Sequence, residues 1–449
     1  MKLRLSYGTA GSDNISPALW KETRKTSSIL VGGVQTTIYV PGDMLGNENL
    51  NWETTISRNI GLDYGFFKSK IRGNIDVYWN TTKDILMKVP VDPTTGYSYQ
   101  FQNVGQTSNK GVELMLAVDI INKKDWHLDA SITYNYNHNN VDKLVDGVLV
   151  DTRTSWGSSL SKPSYDYIIR VGQPVGLIQG FEADDFYTVS DFDYDATTST
   201  YTLKAGVPDI VGITNYSGQT TSGFKRASGQ TAFPGMVKFK DTNGDGVVND
   251  DDKTVIGKTM PKHTGGITLN GGYKNFDISL NFVYQLGGSV YNANAMHSMM
   301  GNKYDGMGVN RLAFIADTYR VYDVDSNGDL ALITDPDALN TLNANAKYAL
   351  NYNEYGIVSS QFVEDASYLR LQNLTIGYTL PKSVLKALKI QNFRLFATGS
   401  NLFCLSNYSG IDPDVNTQTG GVNGFPTPNY DYNSYPKART HTFGINVTF

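Results

Sequence analysis

The chain has 449 residues, with 38 basic and 43 acidic side chains, a formal net charge of −5 and 40% hydrophobic residues. This hydrophobicity excludes an intrinsically disordered chain, and the negative charge argues against a protein that binds nucleic-acid backbones. No stretch approaches the roughly 18–20 apolar residues of a membrane-spanning helix, whereas a membrane β-barrel stays allowed. The one cysteine, Cys404, excludes an internal disulfide and any cysteine-based zinc or iron–sulfur centre.

Alternation of apolar and polar residues predicts ten β-strands along the chain. In residues 52–65, for example, Ile56, Ile60 and Leu62 share one face, and the opposite face is polar. The predicted strands are 1–8, 52–65, 70–80, 110–120, 126–138, 264–273, 276–285, 366–380, 392–403 and 439–449. Because alternating strands dominate and no helical period competes with them, the sequence predicts an all-β, antiparallel fold.

The eighth predicted strand contains a change of phase. Leu369 and Leu371 occupy odd positions, whereas Leu374 and Ile376 occupy even positions. A single extra residue moves every following side chain to the other face of a sheet. The sequence therefore predicts a β-bulge near Gln372 and Asn373.

The connections between the predicted strands alternate strictly between short and long. The short ones are 66–69, 121–125, 274–275 and 381–391, and the long ones are roughly 9–51, 81–109, 139–263, 286–365 and 404–438. Short periplasmic turns and long extracellular loops are typical of outer-membrane barrels. Alternation alone also fits a large soluble antiparallel β protein. Strands of about 10 to 13 residues, aromatic residues near the strand ends and a chain that ends in an alternating aromatic strand favour the barrel.

An acidic segment in the longest connection matches the pattern of a calcium-binding loop. Such a loop supplies oxygen ligands from positions 1, 3, 5, 7, 9 and 12 and has a glycine at position 6. The corresponding ligands are Asp241, Asn243, Asp245, Val247 through its carbonyl, Asn249 and Asp252. Aspartate replaces the usual bidentate glutamate at position 12, which predicts weaker binding. A solvated Asn-Gly and Asp-Gly turn is the alternative, and the similar segment 323–329 is interpreted as a turn.

Aromatic residues of the long connections are candidates for stacking on a sugar ring or for contact with a partner protein. They include Trp156, Tyr304, Tyr352, Tyr355, Tyr430 and Tyr432. Packing between loops is the alternative for each of them. No HExxH, G-x-S-x-G or Walker motif is present, and the acidic pairs Asp184–Asp185 and Asp412–Asp414 are interpreted as solvated surface. The sequence therefore predicts no enzymatic activity.

Several segments, in order along the whole chain, resemble the C-terminal half of SusC-like TonB-dependent transporters of the RagA/SusC family, the outer-membrane importers of Bacteroidetes. The matching segments are 3–8, 49–55, 59–63, 103–105, 109–114, 239–246, 368–378, 435–436, 439–440 and 442–449. The resemblance implies energised import of glycans, oligosaccharides or other large nutrients. It also implies, as partners, a SusD-like surface lipoprotein, outer-membrane lipid and, through a plug domain, the TonB–ExbB–ExbD complex.

Transporters of this kind are similar in having a signal peptide, an N-terminal plug and a barrel of about 22 strands. The first residues of the chain predict no signal peptide, so we expect either a cytosolic protein or a chain that starts downstream of its natural N-terminus. The resemblance favours residues 1–449 as the C-terminal part of a transmembrane barrel that lacks the plug and is not competent alone. Its connection at about 139–263 is expected to be extracellular and to contain the calcium-type loop 241–252. The alternative is a secreted or surface calcium-binding β protein that binds carbohydrate without transporting it.

The polar faces of the predicted strands are expected to line the lumen of such a barrel. They carry Glu53, Asp63, Arg72, Asp76, Glu113, Asp129 and Asp277. These side chains would hydrate the channel or bind the plug, and the alternative is that they merely avoid lipid.

Overall fold

The computed structural model describes residues 1–13, 18–145, 150–152, 166–213, 224–299, 310–350, 357–417 and 426–449. It is dominated by an antiparallel sheet of ten strands that are neighbours in chain order. These are β1 (Lys2–Ser12), β2 (Glu53–Phe66), β3 (Ile71–Pro90), β4 (Tyr99–Asn122), β5 (Trp126–Lys143), β6 (His263–Tyr273), β7 (Phe276–Leu286), β8 (Tyr368–Thr379), β9 (Asn392–Ser406) and β10 (Thr440–Thr448). The predicted set of ten strands is confirmed.

The register of the sheet places apolar side chains of successive strands next to each other. Ile60 of β2 pairs with Val77 of β3, and Ile132 of β5 pairs with Ile267 of β6. Side chains alternate between the two faces of a strand, so this register puts most of the apolar residues of the strands on one side. We call this side the apolar face and the opposite side the polar face.

The apolar face is not covered by other described residues. Ile132 is 39% exposed and Phe443 is 81% exposed. The hydrophobic clusters formed by the described residues do not include Ile56, Leu114, Ile132 or Leu280. A soluble sandwich would bury these side chains beneath a second sheet. The interpretation as a large soluble antiparallel β protein is therefore wrong.

The predicted long connection at 81–109 is also wrong. β3 and β4 stay paired as far as Pro90 and Tyr99, so only residues 91–98 connect them, with a 3₁₀ turn at Pro93–Thr95. The alternation is interrupted there because Asp84 adopts a positive φ of 58° and the register shifts on both sides of Ile85. This local irregularity is why the sequence pattern did not predict the continuous hairpin of β3 and β4.

The predicted bulge in β8 is confirmed. Leu371 pairs with Phe282 and Asn373 pairs with Asn281, so Gln372 is the extra residue on this side. The pairing with β9 shifts register between the same two residues. The bulge is therefore what keeps apolar residues on the apolar face both before and after Gln372.

Four short turns join the strands at one end of the sheet, and the remaining connections, all of them long except residues 91–98, lie at the other end. The short turns are residues 67–70, 123–125, 274–275 and 380–391, and the last contains helix α3 (Lys382–Leu388). Three long connections, residues 144–262, 287–367 and 407–439, together form a folded unit that we call the long-connection module. Among the described residues no helix has the length and apolarity needed to cross a bilayer.

The largest buried core formed by the described residues lies in the long-connection module. Its fully buried members include Tyr167, Ile178, Phe181, Tyr187, Phe233, Tyr291 and Tyr430. The module also contains α1 (Ala293–Met299) and α2 (Pro336–Leu342), with 3₁₀ turns at Val189–Asp191, Asp250–Asp252, Ala313–Asp317 and Ser360–Phe362. Its strands are Val150–Thr152, Tyr167–Ile169, Leu177–Gly180, Ala183–Phe186, Phe192–Asp195, Thr200–Leu203, Asp209–Ile210, Lys225–Arg226, Val237–Phe239, Val247–Val248, Thr254–Lys258, Ser289–Asn292, Tyr322–Val324, Leu330–Leu332, Val363–Asp365 and Tyr430–Asp431.

The connection between β1 and β2 projects as a hairpin of its own. Its strands are Arg24–Val31 and Val34–Pro41, and the following strand Met44–Leu45 pairs in parallel with β4. Glycines 32 and 33 form the tip, both with positive φ. Most residues of this hairpin are exposed on both of its faces.

Candidate functional site: the polar face and the long-connection module

The polar face carries neutral groups that hydrogen-bond across neighbouring strands, beside several charged groups. Thr375 of β8 and Thr398 of β9 share a hydrogen bond of 2.9 Å through their hydroxyls. Asn281 of β7 donates to the hydroxyl of Thr268 on β6 at 3.0 Å. Such groups are costly against lipid but suit a water-filled lumen. This face is therefore the candidate lining of a polar passage.

An arginine of β1 crosses the neighbouring strand to reach an acid on β3. Arg4 donates through Nη2 to Asp76 Oδ2 at 2.8 Å and through Nε to Asp63 Oδ1 at 2.9 Å. The guanidinium passes over Gly61 of β2, where a Cβ atom would lie 2.4 Å from Asp76 Oδ1. Glycine at this position is therefore what allows the bridge to form.

The same arrangement recurs on the polar face among strands β7 to β9. Arg394 of β9 forms two parallel hydrogen bonds, of 3.1 and 2.6 Å, with the carboxylate of Asp277 on β7. A Cβ atom at Gly377 of β8 would lie 2.4 Å from Arg394 Nη2. Bidentate pairs of this kind fix the orientation of both side chains as well as pairing their charges. Asp63, Asp76 and Asp277 are predicted to line the lumen, but the sequence does not predict their arginine partners, although a lone glycine inside an alternating strand signals a close approach.

A buried ion pair links β8 to the connection that follows β9. Arg370 donates to both oxygens of Asp412, at 2.6 and 3.0 Å, and the two residues are only 4% and 8% exposed. Asp412 also accepts the backbone N–H of Asp414 at 2.9 Å. The interpretation of Asp412 as solvated surface is therefore wrong. The sequence pattern did not indicate the burial because Arg370 is distant in sequence.

Two of the six aromatic candidates lie within the described residues, and both are buried. Tyr430 stacks on Tyr291 with ring centroids 5.4 Å apart, and Tyr432 contacts the His297 ring edge-on at 5.6 Å. As placed, both rings pack inside the long-connection module rather than facing solvent. Their contact with a ligand or partner stays a prediction. Trp156, Tyr304, Tyr352 and Tyr355 lie outside the described residues.

The predicted calcium loop forms a tight turn held by its own carboxylates. Asp241 accepts the N–H groups of Gly244 and Gly246 at 2.6 and 2.7 Å, and the bond from Gly246 is the main cause that lowers the pKa of Asp241. Asp252 is fully buried and accepts from Thr242 N and Asn249 N at 2.7 and 2.8 Å. The carboxylate of Asp252 therefore ties the two ends of the loop together.

The chemistry of this loop suits Ca²⁺, which prefers oxygen ligands. Asn243 and Asp245 add two further oxygen donors, and their side chains hydrogen-bond each other at 3.2 Å. Among the described residues, however, no three His, Cys, Asp or Glu side chains converge on one point as metal ligands would. Ion binding would thus require Asp252 to give up hydrogen bonds to the backbone. The calcium site stays a prediction.

An antiparallel sheet with one exposed apolar face, a polar face and folded connections at one end defines the class of outer-membrane β-barrels. The family described as "TonB dependent receptor-like, beta-barrel" matches residues 1–402, and the chain belongs to this family. The protein is thus an outer-membrane protein, as predicted. The family is one of receptors rather than enzymes, as predicted.

Curated relatives extend the match to the whole chain. TonB-dependent receptor P3 of Formosa agariphila is 29% identical over 451 residues, covering 100% of this chain and 39% of the relative. The TonB-dependent receptor SusC of Bacteroides thetaiotaomicron is 26% identical over 461 residues, covering 100% of this chain and 37% of that protein. The resemblance to the SusC family is confirmed. The chain spans about two fifths of the length of these relatives.

Solved structures show the same fold. The structure described as the RagAB peptide importer in the "open-open" state matches with a TM-score of 0.66 and 21% identity, covering 100% of this chain and 40% of that chain. The "closed-closed" state of the same importer matches with a TM-score of 0.63. At this identity the likeness establishes the fold alone.

Proposed function

We propose that this chain is the C-terminal part of the barrel of a TonB-dependent importer that moves a glycan or another large nutrient across the outer membrane. The observation that carries the proposal is the opposition of the two faces of the sheet. The apolar face suits lipid, and the hydroxyl and amide groups of the polar face suit a hydrated passage for a polar cargo. The Arg4 and Arg394 bridges add fixed charges near the short turns, where a plug would contact the wall.

The chemistry of the polar face favours one class of cargo. Thr268, Asn281, Thr375 and Thr398 present neutral donors and acceptors, which can hydrogen-bond to sugar hydroxyls without demanding a charge on the cargo. A relative is named SusC, and another structure of the same fold is described as a peptide importer. We therefore favour an oligosaccharide and treat a peptide as the competing cargo.

The proposed partners are a SusD-like surface lipoprotein and, through a plug domain, the TonB–ExbB–ExbD complex. Exposed apolar residues on the projecting hairpin support a partner at the long-connection end. Leu30 near its tip is 76% exposed and Tyr39 is 77% exposed. An isolated two-stranded ribbon is at best marginally stable in water, so contact with a partner would stabilise this hairpin.

Uptake by cells that produce the full-length receptor tests the proposal. Deleting the receptor gene should abolish growth on a purified polysaccharide, or import of its labelled oligosaccharides, and leave growth on glucose unchanged. The full-length gene should restore import only in cells with an intact TonB. Loss of peptide uptake alone would move the cargo to peptides, and normal uptake of every oligosaccharide and peptide tested would contradict the proposal.

We also propose that the loop 241–252 takes up Ca²⁺ as a structural clip. Millimolar Ca²⁺ should protect the connection around this loop from protease in the wild-type receptor but not in Asp241→Ala, because Asp241 supplies the first ligand. Limited proteolysis with and without a chelator measures this difference.

The second acidic turn offers a matched control for the calcium test. Asp325 accepts the N–H groups of Asn327 and Asp329 at 2.8 and 2.9 Å, as the first aspartate of the calcium-type loop does for its own turn. This turn connects the paired strands Tyr322–Val324 and Leu330–Leu332, which confirms the interpretation of segment 323–329 as a turn. Asp325→Ala should leave the protection by Ca²⁺ intact. Equal protection of Asp241→Ala and wild type would exclude the clip.

A further inference from the structure

The short turns carry a concentration of positive charge that the rest of the chain does not share. Residues 67–70, 123–125, 274–275 and 380–391 contain eight lysines and one acid, Asp125, although the whole chain has a net charge of −5. The lysines are Lys68, Lys70, Lys123, Lys124, Lys274, Lys382, Lys386 and Lys389, and all are exposed. In the described part of the chain, no carboxylate forms a salt bridge with any of these eight lysines. Their charge is therefore available to an external anion.

A row of aromatic side chains lies on the apolar face directly beside two of these turns. The rings of Trp126 and Tyr273 contact each other in a tilted arrangement with centroids 4.1 Å apart, and those of Phe276 and Tyr378 do so with centroids 4.6 Å apart. Cross-strand pairing places the four on successive strands β5 to β8. Trp and Tyr are enriched where a barrel meets the headgroup region of a bilayer. The row therefore marks the level at which the lysines of the turns would meet lipid headgroups.

An apolar groove opens immediately below this row. It has a volume of about 350 Å³ and is lined by Trp126, Leu128, Gly271, Ile278 and Ile376, among others. Gly271 pairs with Leu128 on one side and Ile278 on the other. Because glycine lacks a side chain, the surface is indented between these two neighbours. The groove runs from the headgroup level into the part of the apolar face that contacts acyl chains.

We propose that the turns 123–125 and 274–275 and this groove form a binding site for an acidic phospholipid such as phosphatidylglycerol. Lys123, Lys124 and Lys274 face the headgroup phosphate and its negative charge, and an acyl chain occupies the groove over Gly271. Short turns of outer-membrane barrels lie on the periplasmic side, so the lipid belongs to the inner leaflet of that membrane. A zwitterionic phospholipid fills the same groove but gains less from three clustered lysines, because its own ammonium group opposes them.

The full-length receptor in detergent, examined by native mass spectrometry with added phosphatidylglycerol or phosphatidylethanolamine, tests the proposal. We expect the wild type to retain phosphatidylglycerol about tenfold better than phosphatidylethanolamine, a gain that three lysines near the headgroup can supply. The triple variant Lys123→Gln, Lys124→Gln, Lys274→Gln should retain both lipids equally. No preference in the wild type would overturn the proposal.

A second triple variant controls for overall charge. Lys21→Gln, Lys225→Gln and Lys258→Gln instead remove three exposed lysines from connections at the opposite end of the sheet, and the preference should stay at the wild-type level. If both triple variants lose the preference alike, general electrostatics explains it and the site does not exist. A salt titration of the wild type needs no variant: salt should weaken retention of phosphatidylglycerol and leave phosphatidylethanolamine unchanged. Equal salt sensitivity of the two lipids would also refute the site.

Gly271→Ala separates the groove from the charge. A Cβ atom there would lie 3.3 Å from Ile278 Cγ2 and 3.7 Å from Leu128 Cδ1, and so would fill part of the indentation. Retention of both lipids should fall while the preference for phosphatidylglycerol persists. Unchanged retention of both lipids would show that the acyl chain does not use the groove. Nutrient uptake is not part of this readout, so the lipid site and the proposed import function can fail independently.

Discussion

Ile132→Lys should destabilise the folded barrel by about 2–4 kcal/mol, the cost of a lysine on the lipid face near the bilayer midplane. Ile132 lies six positions after Trp126, where β5 begins, and pairs with Ile267 on the apolar face. At about 3.3 Å per residue and a tilt near 40°, this places it roughly 15 Å from the short turns. Urea unfolding of the full-length receptor in lipid vesicles, followed by heat-modifiable migration, measures the loss.

The neighbouring residue provides the control for this substitution. Ser131 pairs with Thr268 and Ala117 and points to the polar face. Ser131→Lys places the same charge one residue away in water rather than in lipid, and we expect a change of less than about 1 kcal/mol. Equal destabilisation by the two substitutions would show that the two faces of the sheet do not differ in environment.

Asp412→Ala should lower the free energy that stabilises the long-connection module on the sheet by about 3–5 kcal/mol. The substitution leaves the buried guanidinium of Arg370 without its counter-charge. The carboxylate meets this guanidinium through two hydrogen bonds, and neither residue is appreciably exposed. Hydrogen exchange should show faster opening of residues 407–417 in the variant.

Two further variants show whether burial of the pair is the cause. Asp317→Ala breaks an ion pair of 2.9 Å with Lys347 in the same module, but the two side chains are 45% and 68% exposed. Its cost should stay below about 1 kcal/mol. Replacing both buried partners, by Arg370→Met with Asp412→Leu, should recover much of the lost stability. If Asp412→Ala costs no more than Asp317→Ala, the buried pair does not hold the module.

The strands and the bulge could be predicted because they depend on a local period. Apolar residues must recur every second position to share a face, so Ile60, Ile132 and Leu280 reveal their strands without knowledge of the partner strand. The phase change after Leu371 is equally local, and it located the extra residue correctly. The predicted end of β3 was wrong for the same reason. Asp84 interrupts the local period, whereas the pairing of β3 with β4 continues past it.

The site residues were harder to predict because they depend on contacts between distant segments. Burial of Asp412 requires Arg370, and Tyr430 is buried against Tyr291, which lies in another connection. No local pattern distinguishes such residues from solvated loop residues. An isolated glycine in a strand, Gly61, indicated a close approach at the position of the bridge. The two charged ends of the bridge, however, lie on different strands, so the sequence did not reveal the pair.

The assignment of one face of this sheet to lipid and of the other face to enclosed water is tested by spin-label accessibility. With Cys404 replaced by serine, single cysteines at residues 131–134 and 279–282 of the full-length receptor would be labelled in lipid vesicles. Accessibility to oxygen, which concentrates in lipid, should peak at 132, 134, 280 and 282, and accessibility to a water-soluble nickel complex should peak at 131, 133, 279 and 281. Uniform accessibility along each strand, or the opposite phase, would contradict it.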